Sequence, residues 1–461
     1  MKALYLKHFW LGGLAYTALM LSFTFIFDFD GLYGQDAYDY LKQCSTLFSA
    51  EKESGFWPPL YPFLGNVLSL GFLPLIFSLQ LLSILSLVVS GFLLLRILYR
   101  LYPEKQYLSL YVTLFFLLAP FVLRSGLLIM SDALAMMMLL MVFNFFFTAT
   151  GHKRIVGVFL LASFTLLTRY ALAPLLVPVL LVLSYECWKE KKIGLFFGAA
   201  LLFVLPLVFN FLFWSTAAGG LQHAWLQQWS PLNFFRYDFE TNEGIQHYIL
   251  PNFLQVLKVF YHPGFFLPLG LFLIFYRKSD WQSKSSKIIL LSLLLYLFFL
   301  AGIPYQNDRF LLPMLPLWLL LSYPAFSRMM EAKLFFRGFL VPVAVLISFF
   351  MIYRAMQPMV NRNHLEREIV DAMQSYDGQT LYAFDMDIAL KGRGLEMNYI
   401  NLWRNELDTF QSGALVLFNE EQFREQWRGK NPMINYLRMK ESGRLIFVRN
   451  FSKGWQLSRL Q

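Results

Sequence analysis

Long apolar runs alternate with short polar loops along the first 353 residues. Runs of about 20 residues match the hydrocarbon thickness of a bilayer, so the pattern predicts a polytopic α-helical membrane protein. We place eleven transmembrane helices along this part of the chain. They cover about 8–28, 74–99, 107–123, 132–150, two short spans within 155–185, 193–214, 263–276, 288–303, 310–326 and 338–353.

One apolar run, residues 155–185, is too long for a single span. Thr168, Arg169 and Pro174 interrupt it, so the pattern predicts two short spans joined by a turn at Arg169. With this division the number of spans is odd, which places the two ends of the bundle on opposite sides of the membrane.

The polar loop at about 29–73 contains a periodic stretch. Its apolar residues are Ala37, Tyr40, Leu41, Cys44, Leu47 and Phe48. Their period is near 3.6, which predicts a short amphipathic helix lying on the membrane surface. Asp36 and Asp39 lie three residues apart on its opposite face. Residue type and position leave two interpretations of Asp36 open, a helix N-cap or a functional carboxylate.

The last 108 residues are mostly polar. Strand-like runs occur at Thr380–Phe384, Ala414–Phe418, Leu445–Arg449 and Trp455–Leu460. The last two read as a hairpin, and helical stretches near 361–376 and 419–428 lie between strands. We therefore predict a transmembrane domain over 1–353, with outer loops at 29–73 and 215–262, and a small α/β domain over 354–461.

Lys and Arg are unevenly distributed between the two sides of the predicted bundle. Within residues 1–353, 17 of them fall on the side of the N-terminus and 7 on the other side. Because basic residues concentrate in cytoplasmic loops, the N-terminus is expected in the cytoplasm and the C-terminal domain outside. A bacterial inner membrane is the default location, although an endoplasmic-reticulum membrane satisfies the same pattern.

Composition narrows the function classes. The chain is 57% hydrophobic with a mean hydropathy of +0.50, which no ordinary soluble protein shows. Its net charge of +10 follows membrane topology, so we expect no nucleic-acid partner. Cys44 and Cys187 fall on opposite membrane sides in this topology, so we expect no disulfide framework. The first helix lacks a small-residue cleavage site and is expected to remain uncleaved.

Charged residues are rare within the spans and gather at the outer ends of the helices. The residues at this surface are Asp36, Asp39, Arg124, Asp132, Arg169, Asp308 and Arg309. A transporter usually carries paired ionisable groups near the middle of the membrane. Here the main polar residues within the spans are Asn144 and Asn210. This disfavours the leading alternative function, a flippase or transporter for lipid-linked oligosaccharides. A non-catalytic scaffold is a third interpretation.

Carboxylates and arginines at one lipid-facing surface suit the transfer of a group from a lipid phosphate. Arginines stabilise the charge that grows on the departing phosphate, and a carboxylate can accept the proton of an acceptor hydroxyl or amine. The candidate catalytic residues are Asp36, Asp39 and Asp132. The candidate substrate- and phosphate-binding residues are Arg124, Arg169, Arg309, Tyr305, Trp57 and Tyr61. No spacing typical of metal ligands and no glycine-rich phosphate loop is evident, so we expect neither a metal nor a cofactor.

The charged candidates each have a structural alternative. Arg124 and Arg169 can be interfacial anchors, and Asp132 can be the N-cap of the helix that follows it. Asp308 and Arg309 can form a local ion pair at the edge of their loop.

The aromatic candidates have alternatives as well. Trp57, Tyr61 and Tyr305 can belong to the aromatic belt of the membrane interface, and Trp57-Pro58-Pro59 can be only a stiff loop. His262 is better explained as a helix cap than as a metal ligand.

Five segments occur in an order that is typical of one family. Asp36 lies in an outer loop after the first helix, and Pro58-Pro59-Leu60-Tyr61-Pro62 follows it. Then come Ser131-Asp132-Ala133-Leu134, Thr168-Arg169-Tyr170 and Asp308-Arg309-Phe310-Leu311-Leu312-Pro313. Over about residues 8–353 the layout resembles the GT-C class of polytopic glycosyltransferases. Within that class it is similar to protein O-mannosyltransferases and bacterial aminoarabinose lipid A transferases.

The resemblance implies a hexose or pentose carried on a polyprenyl-phosphate donor, an inverting transfer and an active site at the outer face. It matches Asp36 to the catalytic carboxylate, acting as general base on a glycan, lipid or protein acceptor. Arg169 and Arg309 match phosphate or substrate contacts. The family's first loop often reads Asp-Glu, whereas Ala37 follows Asp36 here. The C-terminal domain matches no acceptor-binding module.

Overall fold

The structure is a computed structural model that describes residues 2–47, 57–71, 73–213, 227–241, 244–265, 270, 272–304, 307–331, 338–339 and 341–461. These residues are mostly helical, with a small sheet near the C-terminus. The first half contains α1 (Lys2–Ile26), α2 (Gln35–Thr46), α3 (Leu60–Ser69), α4 (Leu75–Leu101), α5 (Gln106–Leu118), α6 (Pro120–Leu127), α7 (Asp132–Thr148), α8 (Gly151–Thr168), α9 (Ala173–Lys189) and α10 (Ile193–Phe213).

The second half begins with the hairpin β1 (Asp238–Thr241) and β2 (Gly244–His247). It continues with α11 (Asn252–Gln255), α12 (Lys258–Tyr261), α13 (Lys284–Gly302), α14 (Asp308–Leu311), α15 (Met314–Glu331) and α16 (Val341–Met373). The C-terminal elements are β3 (Thr380–Ala383), α17 (Asp387–Gly392), β4 (Asn398–Asn401), β5 (Leu415–Phe418), α18 (Glu420–Phe423), α19 (Asn431–Glu441), β6 (Leu445–Asn450) and β7 (Gln456–Leu460).

Length and apolar composition identify the described helices that can cross a membrane. Four qualify alone: Leu75–Leu101, Tyr170–Lys189, Ile193–Leu212 and Lys284–Gly302. The pair Pro103–Leu118 and Pro120–Leu127 is a fifth if it forms one bent span. The apolar stretch Leu11–Ile26 of α1 and the whole of α7 are shorter, and the predicted helix at 263–276 falls partly outside the described residues. The total of eleven spans stays a prediction.

The predicted break at Arg169 is present. α8 ends at Thr168, Arg169 has an extended backbone, and α9 begins at Ala173. The predicted helix over 107–123 is divided into α5 and α6, which meet at an angle of 60°. Pro120 opens α6 and has no N–H to continue the hydrogen-bond ladder of α5, which explains the bend.

One helix joins the membrane region to the C-terminal part. α16 runs for 33 residues and includes both the predicted last span and the predicted helical stretch near 361–376. Leu365, Ile369 and Met373 on its second half pack into a hydrophobic core of their own with the C-terminal strands. The predicted domain boundary at 353/354 therefore lies within a continuous helix, and the division into domains stays a prediction.

The C-terminal sheet has five strands in the order β4-β3-β5-β7-β6. β3 is parallel to both β4 and β5, whereas β7 is antiparallel to β5 and β6. The four predicted strands and the predicted C-terminal hairpin are present. Strand β4 and the β1–β2 hairpin were not predicted from the sequence.

Candidate active site

The segment after α1 places Asp36 at the start of α2. Gly34 is the N-cap and has a φ of +74°, so Asp36 is the second residue of the helix and not its cap. The N-cap interpretation of Asp36 is therefore wrong. Its carboxylate is 30% exposed and accepts a hydrogen bond from Nη1 of Arg309 at 2.5 Å. The two residues are 273 positions apart in the sequence.

Arg309 joins two carboxylates. Its backbone is fixed at the start of α14, where the side chain of Asn307 caps the helix and accepts from the Arg309 N–H at 3.0 Å. While Nη1 contacts Asp36, Nε donates to Oδ2 of Asp132 at 2.7 Å. The expected local pair with Asp308 is wrong, because Asp308 instead pairs with Lys258 at 3.0 Å.

Asp132 is the most deeply buried member of this group, with 2% of its side chain exposed. It is the first residue of α7, whose N-cap is Ser131, so the N-cap interpretation of Asp132 is also wrong. Arg169, at the break between α8 and α9, forms a second ion pair with Asp132. Arg169 is 11% exposed and lies 5.2 Å from the ring of Phe310, which does not fit an anchor facing lipid headgroups.

Asp36, Arg309, Asp132 and Arg169 thus form one continuous set of ion pairs, which we call the charged cluster. Two carboxylates balance two guanidinium groups, which allows the cluster to be buried. Each guanidinium has five N–H donors, so donors remain for an anionic ligand. Asp36 is the most exposed of the four side chains and is the one that a substrate can reach most easily.

Aromatic side chains support α2 beside the charged cluster. The Tyr40 hydroxyl hydrogen-bonds Ser131 Oγ at 2.7 Å, next to Asp132. Its ring packs against Trp57 at 5.5 Å and edge-on against Tyr61 at 5.2 Å. Tyr61 is fully buried and its hydroxyl donates to the Leu79 carbonyl, so its placement favours packing over substrate contact. Trp57 is half-buried and is the most exposed of these three rings.

Asp39 lies one helical turn beyond Asp36 and, among the described residues, joins no ion pair. Burial raises the pKa of its carboxyl to about 6, and the nearby charge of Asp36 adds to this effect. A hydrogen bond from Trp57 and the charge of Lys42 act in the opposite direction. The two carboxylates of α2 therefore occupy different environments, one paired with arginine and one partly desolvated.

The remaining candidates are not part of the charged cluster. The guanidinium of Arg124 lies 5.1 Å from the ring of Tyr33, and in the described part of the chain it makes no ion pair. Tyr305 lies outside the described residues. His262 accepts from the Gly264 N–H and stacks on Phe121. Within the described ranges, no group of three or more His, Cys, Asp or Glu is arranged to hold a metal ion.

An apolar cleft of about 580 Å³ lies on the Arg169 side of the bundle. Its lining residues are Ala173, Pro174, Val177, Trp229, Leu295, Phe298 and Phe299. Ala173 and Pro174 begin α9 just after Arg169, and Phe298 and Phe299 are near the end of α13 that leads toward Arg309. The cleft therefore lies near the same helix ends as the charged cluster.

Comparison with known families identifies the chain. The model of the Alg9-like mannosyltransferase family matches residues 52–387, which is more than half of the sequence. The chain belongs to this family. It is therefore a GT-C glycosyltransferase, as the order of motifs suggested. The match begins after Asp36, so it does not itself assign a role to that residue.

Solved structures show the same fold. A crystal structure of ArnT from Cupriavidus metallidurans bound to undecaprenyl phosphate is similar, with a TM-score of 0.59 and 12% identity, over 96% of this chain and 98% of that one. The apo state of the same protein gives a TM-score of 0.56 and 10% identity, over 97% and 98% of the two chains. A comparison with curated proteins finds no match.

A second polar network in this glycosyltransferase was not predicted from the sequence. It joins the first outer loop to α16 and α17, and its members are Asp30, Tyr38, Arg362, Asn363, Glu366, Asp385 and Arg393. Tyr38 and Glu366 are 328 residues apart. No local spacing signals a contact between residues so distant in sequence, and none of these side chains belongs to a recognisable motif.

Proposed function

We propose that this GT-C glycosyltransferase transfers a sugar from a polyprenyl-phosphate donor to an acceptor at the outer face of the membrane, with inversion at the anomeric carbon. The observation that carries the proposal is the charged cluster, in which the partly exposed carboxylate of Asp36 is paired with Arg309, and Asp132 links Arg309 to Arg169. The arrangement supplies a base for the acceptor and cations for the leaving phosphate in one place.

In the proposed reaction Asp36 accepts the proton from the acceptor hydroxyl or amine. The acceptor atom then attacks the anomeric carbon from the face opposite the phosphate, and the bond from that carbon to the phosphate oxygen breaks. The phosphate leaves with the electron pair as a stable anion, so no general acid is needed on that side. N–H donors of Arg169 and Arg309 stabilise the added charge.

The apolar cleft is the proposed place for the first isoprene units of the donor. Its lining offers aliphatic and aromatic surface, and it opens near the helix ends that carry Arg169 and Arg309. Such a cleft favours a long hydrocarbon chain through burial of apolar area. The similar ArnT structure contains undecaprenyl phosphate, which supports a donor of this chemical class.

The proposed topology places the N-terminus in the cytoplasm and the charged cluster, with the C-terminal part, outside. The excess of Lys and Arg on the side of the N-terminus supports this orientation. A bacterial inner membrane is the proposed location.

The proposal is tested with a panel of radiolabelled polyprenyl-phosphate sugars in detergent, by measuring release and transfer of the sugar. Val177→Trp fills the cleft and should raise the KM of the accepted donor at least several-fold. Leu181→Trp is the matched control, because Leu181 lies one turn further along α9, is 63% exposed and does not line the cleft.

Two outcomes contradict the proposal. Intact labelled donor that only crosses a vesicle membrane, without cleavage of its sugar–phosphate bond, identifies a flippase. Equal KM values for the two tryptophan variants remove the cleft as the donor site.

A further inference from the structure

Helix α2 is held from two sides. One side meets the bundle through Asp36 and Tyr40, which contact Arg309 and Ser131. The other side meets the C-terminal part through Tyr38, which lies between these residues in sequence and is 3% exposed. The position of the candidate base therefore depends on contacts to both parts of the chain.

Tyr38 fits closely against α17. The side of its ring lies next to Gly392, and a Cβ at that position would collide with the ring. Its hydroxyl donates a hydrogen bond to Oε2 of Glu366 on α16. Arg393 follows Gly392, and its guanidinium lies 5.7 Å from the Tyr38 ring. The ring thus has no space to change rotamer without moving α17.

Glu366 is the centre of this contact, and its side chain is fully buried. Nε of Arg362 donates to it at 2.8 Å and Nη2 of Arg393 at 3.1 Å. Two guanidinium groups donate to this carboxylate, and a carboxylate is a stronger acceptor for the Tyr38 hydroxyl than a neutral oxygen. A buried, charged acceptor of this kind is directional and fixes its donor.

The same network fixes the backbone that enters α2. Asp30 accepts from Nη1 of Arg393 at 2.9 Å and from the amide of Asn363 at 2.5 Å. Asn363 also donates to the carbonyl of Leu32 at 3.1 Å. The loop and the helix that carry Asp36 are therefore both tied to α16 and α17.

The sheet topology explains why α2 docks here. β3 is the central one of three parallel strands, with β4 on one side and β5 on the other. The order of the strands therefore reverses at β3. In open α/β sheets, ligands bind in the crevice at the carboxyl ends of the strands at such a point. Asp385 follows β3 at this end and pairs with Arg362 at 2.8 Å. Gln35, the first residue of α2, donates to Asp385 at 3.5 Å. In this chain the start of α2 lies at that crevice.

We propose that the C-terminal sheet and α17 position the base, with Tyr38, Glu366 and Arg393 as positioning residues. This inference rests on the proposed function, in which Asp36 acts on the acceptor. Loss of the Tyr38 hydroxyl should make α2 more mobile and move Asp36 out of its position. We expect this change to lower kcat more than it raises the KM of the donor.

The test compares the full-length Tyr38→Phe variant with the wild type in detergent. We expect kcat to fall about 10–100-fold, with the donor KM within about twofold of the wild-type value. Hydrogen–deuterium exchange of residues 35–46 should become faster while α7 exchanges as before. Tyr399→Phe is the matched control, because that hydroxyl donates to Leu395 within the C-terminal part and does not reach α2.

Unchanged exchange of α2 in Tyr38→Phe overturns the inference, and so does faster exchange with wild-type kcat. A fall in kcat matched by an equal rise in KM also overturns it. A wild type that is inactive with every donor refutes the proposed function instead, and the exchange result alone then decides whether the C-terminal part holds α2.

Discussion

Arg309 is the residue on which the charged cluster depends most. Its Nη1 and Nε atoms contact Asp36 and Asp132 at the same time, so each carboxylate binds a different nitrogen of one planar group, whereas lysine offers a single nitrogen. Without Arg309, Asp36 loses the contact that orients its carboxylate, and buried Asp132 keeps only its ion pair with Arg169. The proposed base and the proposed phosphate site are therefore coupled through one side chain.

Replacement of Arg309 by lysine keeps the charge and removes the double contact. We expect kcat for sugar transfer to fall by about 10²–10³-fold, because the guanidinium both positions Asp36 and stabilises the leaving phosphate. Steady-state kinetics in detergent measures this. Arg154→Lys is the control, since Arg154 pairs with Glu186 outside the cluster and the variant should retain wild-type kcat. Equal losses in the two variants contradict the assigned role.

Asp39 gives a prediction about pH. The pKa of its carboxyl is about 6 in the folded protein and 3.8 in the unfolded chain, so the folded state binds the proton more tightly. The resulting contribution to the free energy of unfolding is fully present below pH 3.8. It is lost as the pH rises through about 6. Asp39→Asn mimics the protonated form at every pH. We expect the variant to have a higher Tm than the wild type at pH 8 and a similar Tm near pH 4, with transfer retained.

Thermal unfolding at the two pH values checks this expectation. A variant that is less stable at pH 8, or equally stabilised at both values, contradicts the environment described for Asp39. Loss of transfer in Asp39→Asn would instead make Asp39 the base.

At the scale of elements, the way α2 begins determines where Asp36 points. Gly34 has a φ of +74°, and the space around its Cα is open. Alanine there meets no neighbour and acts only through backbone strain. We expect Gly34→Ala to destabilise the fold by about 1–2 kcal/mol and to lower kcat, because the start of α2 must shift.

Gly194 on α10 is the matched control for Gly34. The space around it is also open, but its φ is ordinary for a helix, so Gly194→Ala should stabilise the protein by about 0.5–1 kcal/mol. Chemical or thermal unfolding of both variants measures the difference. Destabilisation by both substitutions, to the same extent, contradicts the backbone explanation.

Local sequence patterns predicted those elements whose cause is local. The 3.6-residue period predicted α2, the polar interruption at Arg169 predicted the break between α8 and α9, and short strand-like runs predicted β3, β5, β6 and β7. Pro120 was a visible signal for the bend between α5 and α6, but the sequence analysis placed a single helix over 107–123. Strand β4 has few β-branched residues, and its pairing with β3 determines its structure.

The sequence predicted which residues form the charged cluster but not how they pair. Charge at helix ends indicated that Asp36, Asp132, Arg169 and Arg309 share one surface, but their pairing results from the packing of α2, α7 and α14. The same reasoning included Arg124, which stacks on Tyr33 instead. The network around Glu366 gave no sequence signal, because its partners come from three separate segments that meet only in the folded chain.

At the scale of the whole molecule, the proposed orientation in the membrane rests on the distribution of charge. The proposed topology predicts that Lys153, exposed in the first turn of α8, faces the cytoplasm and that Arg428, exposed in the C-terminal part, faces outward. A membrane-impermeant maleimide added to intact cells should label Arg428→Cys and not Lys153→Cys. Both native cysteines are buried, which keeps the background low. Labelling only at position 153 contradicts the proposed orientation.

The central claim is that Asp36 is the base of a sugar transfer from a polyprenyl phosphate. The most direct measurement compares the kcat of wild type, Asp36→Asn and Asp39→Asn with the donor that the wild type accepts, together with their unfolding temperatures. We expect a loss of about 10²–10⁴-fold in Asp36→Asn, near-wild-type turnover in Asp39→Asn and a folded protein in each case. Wild-type turnover by Asp36→Asn would contradict it.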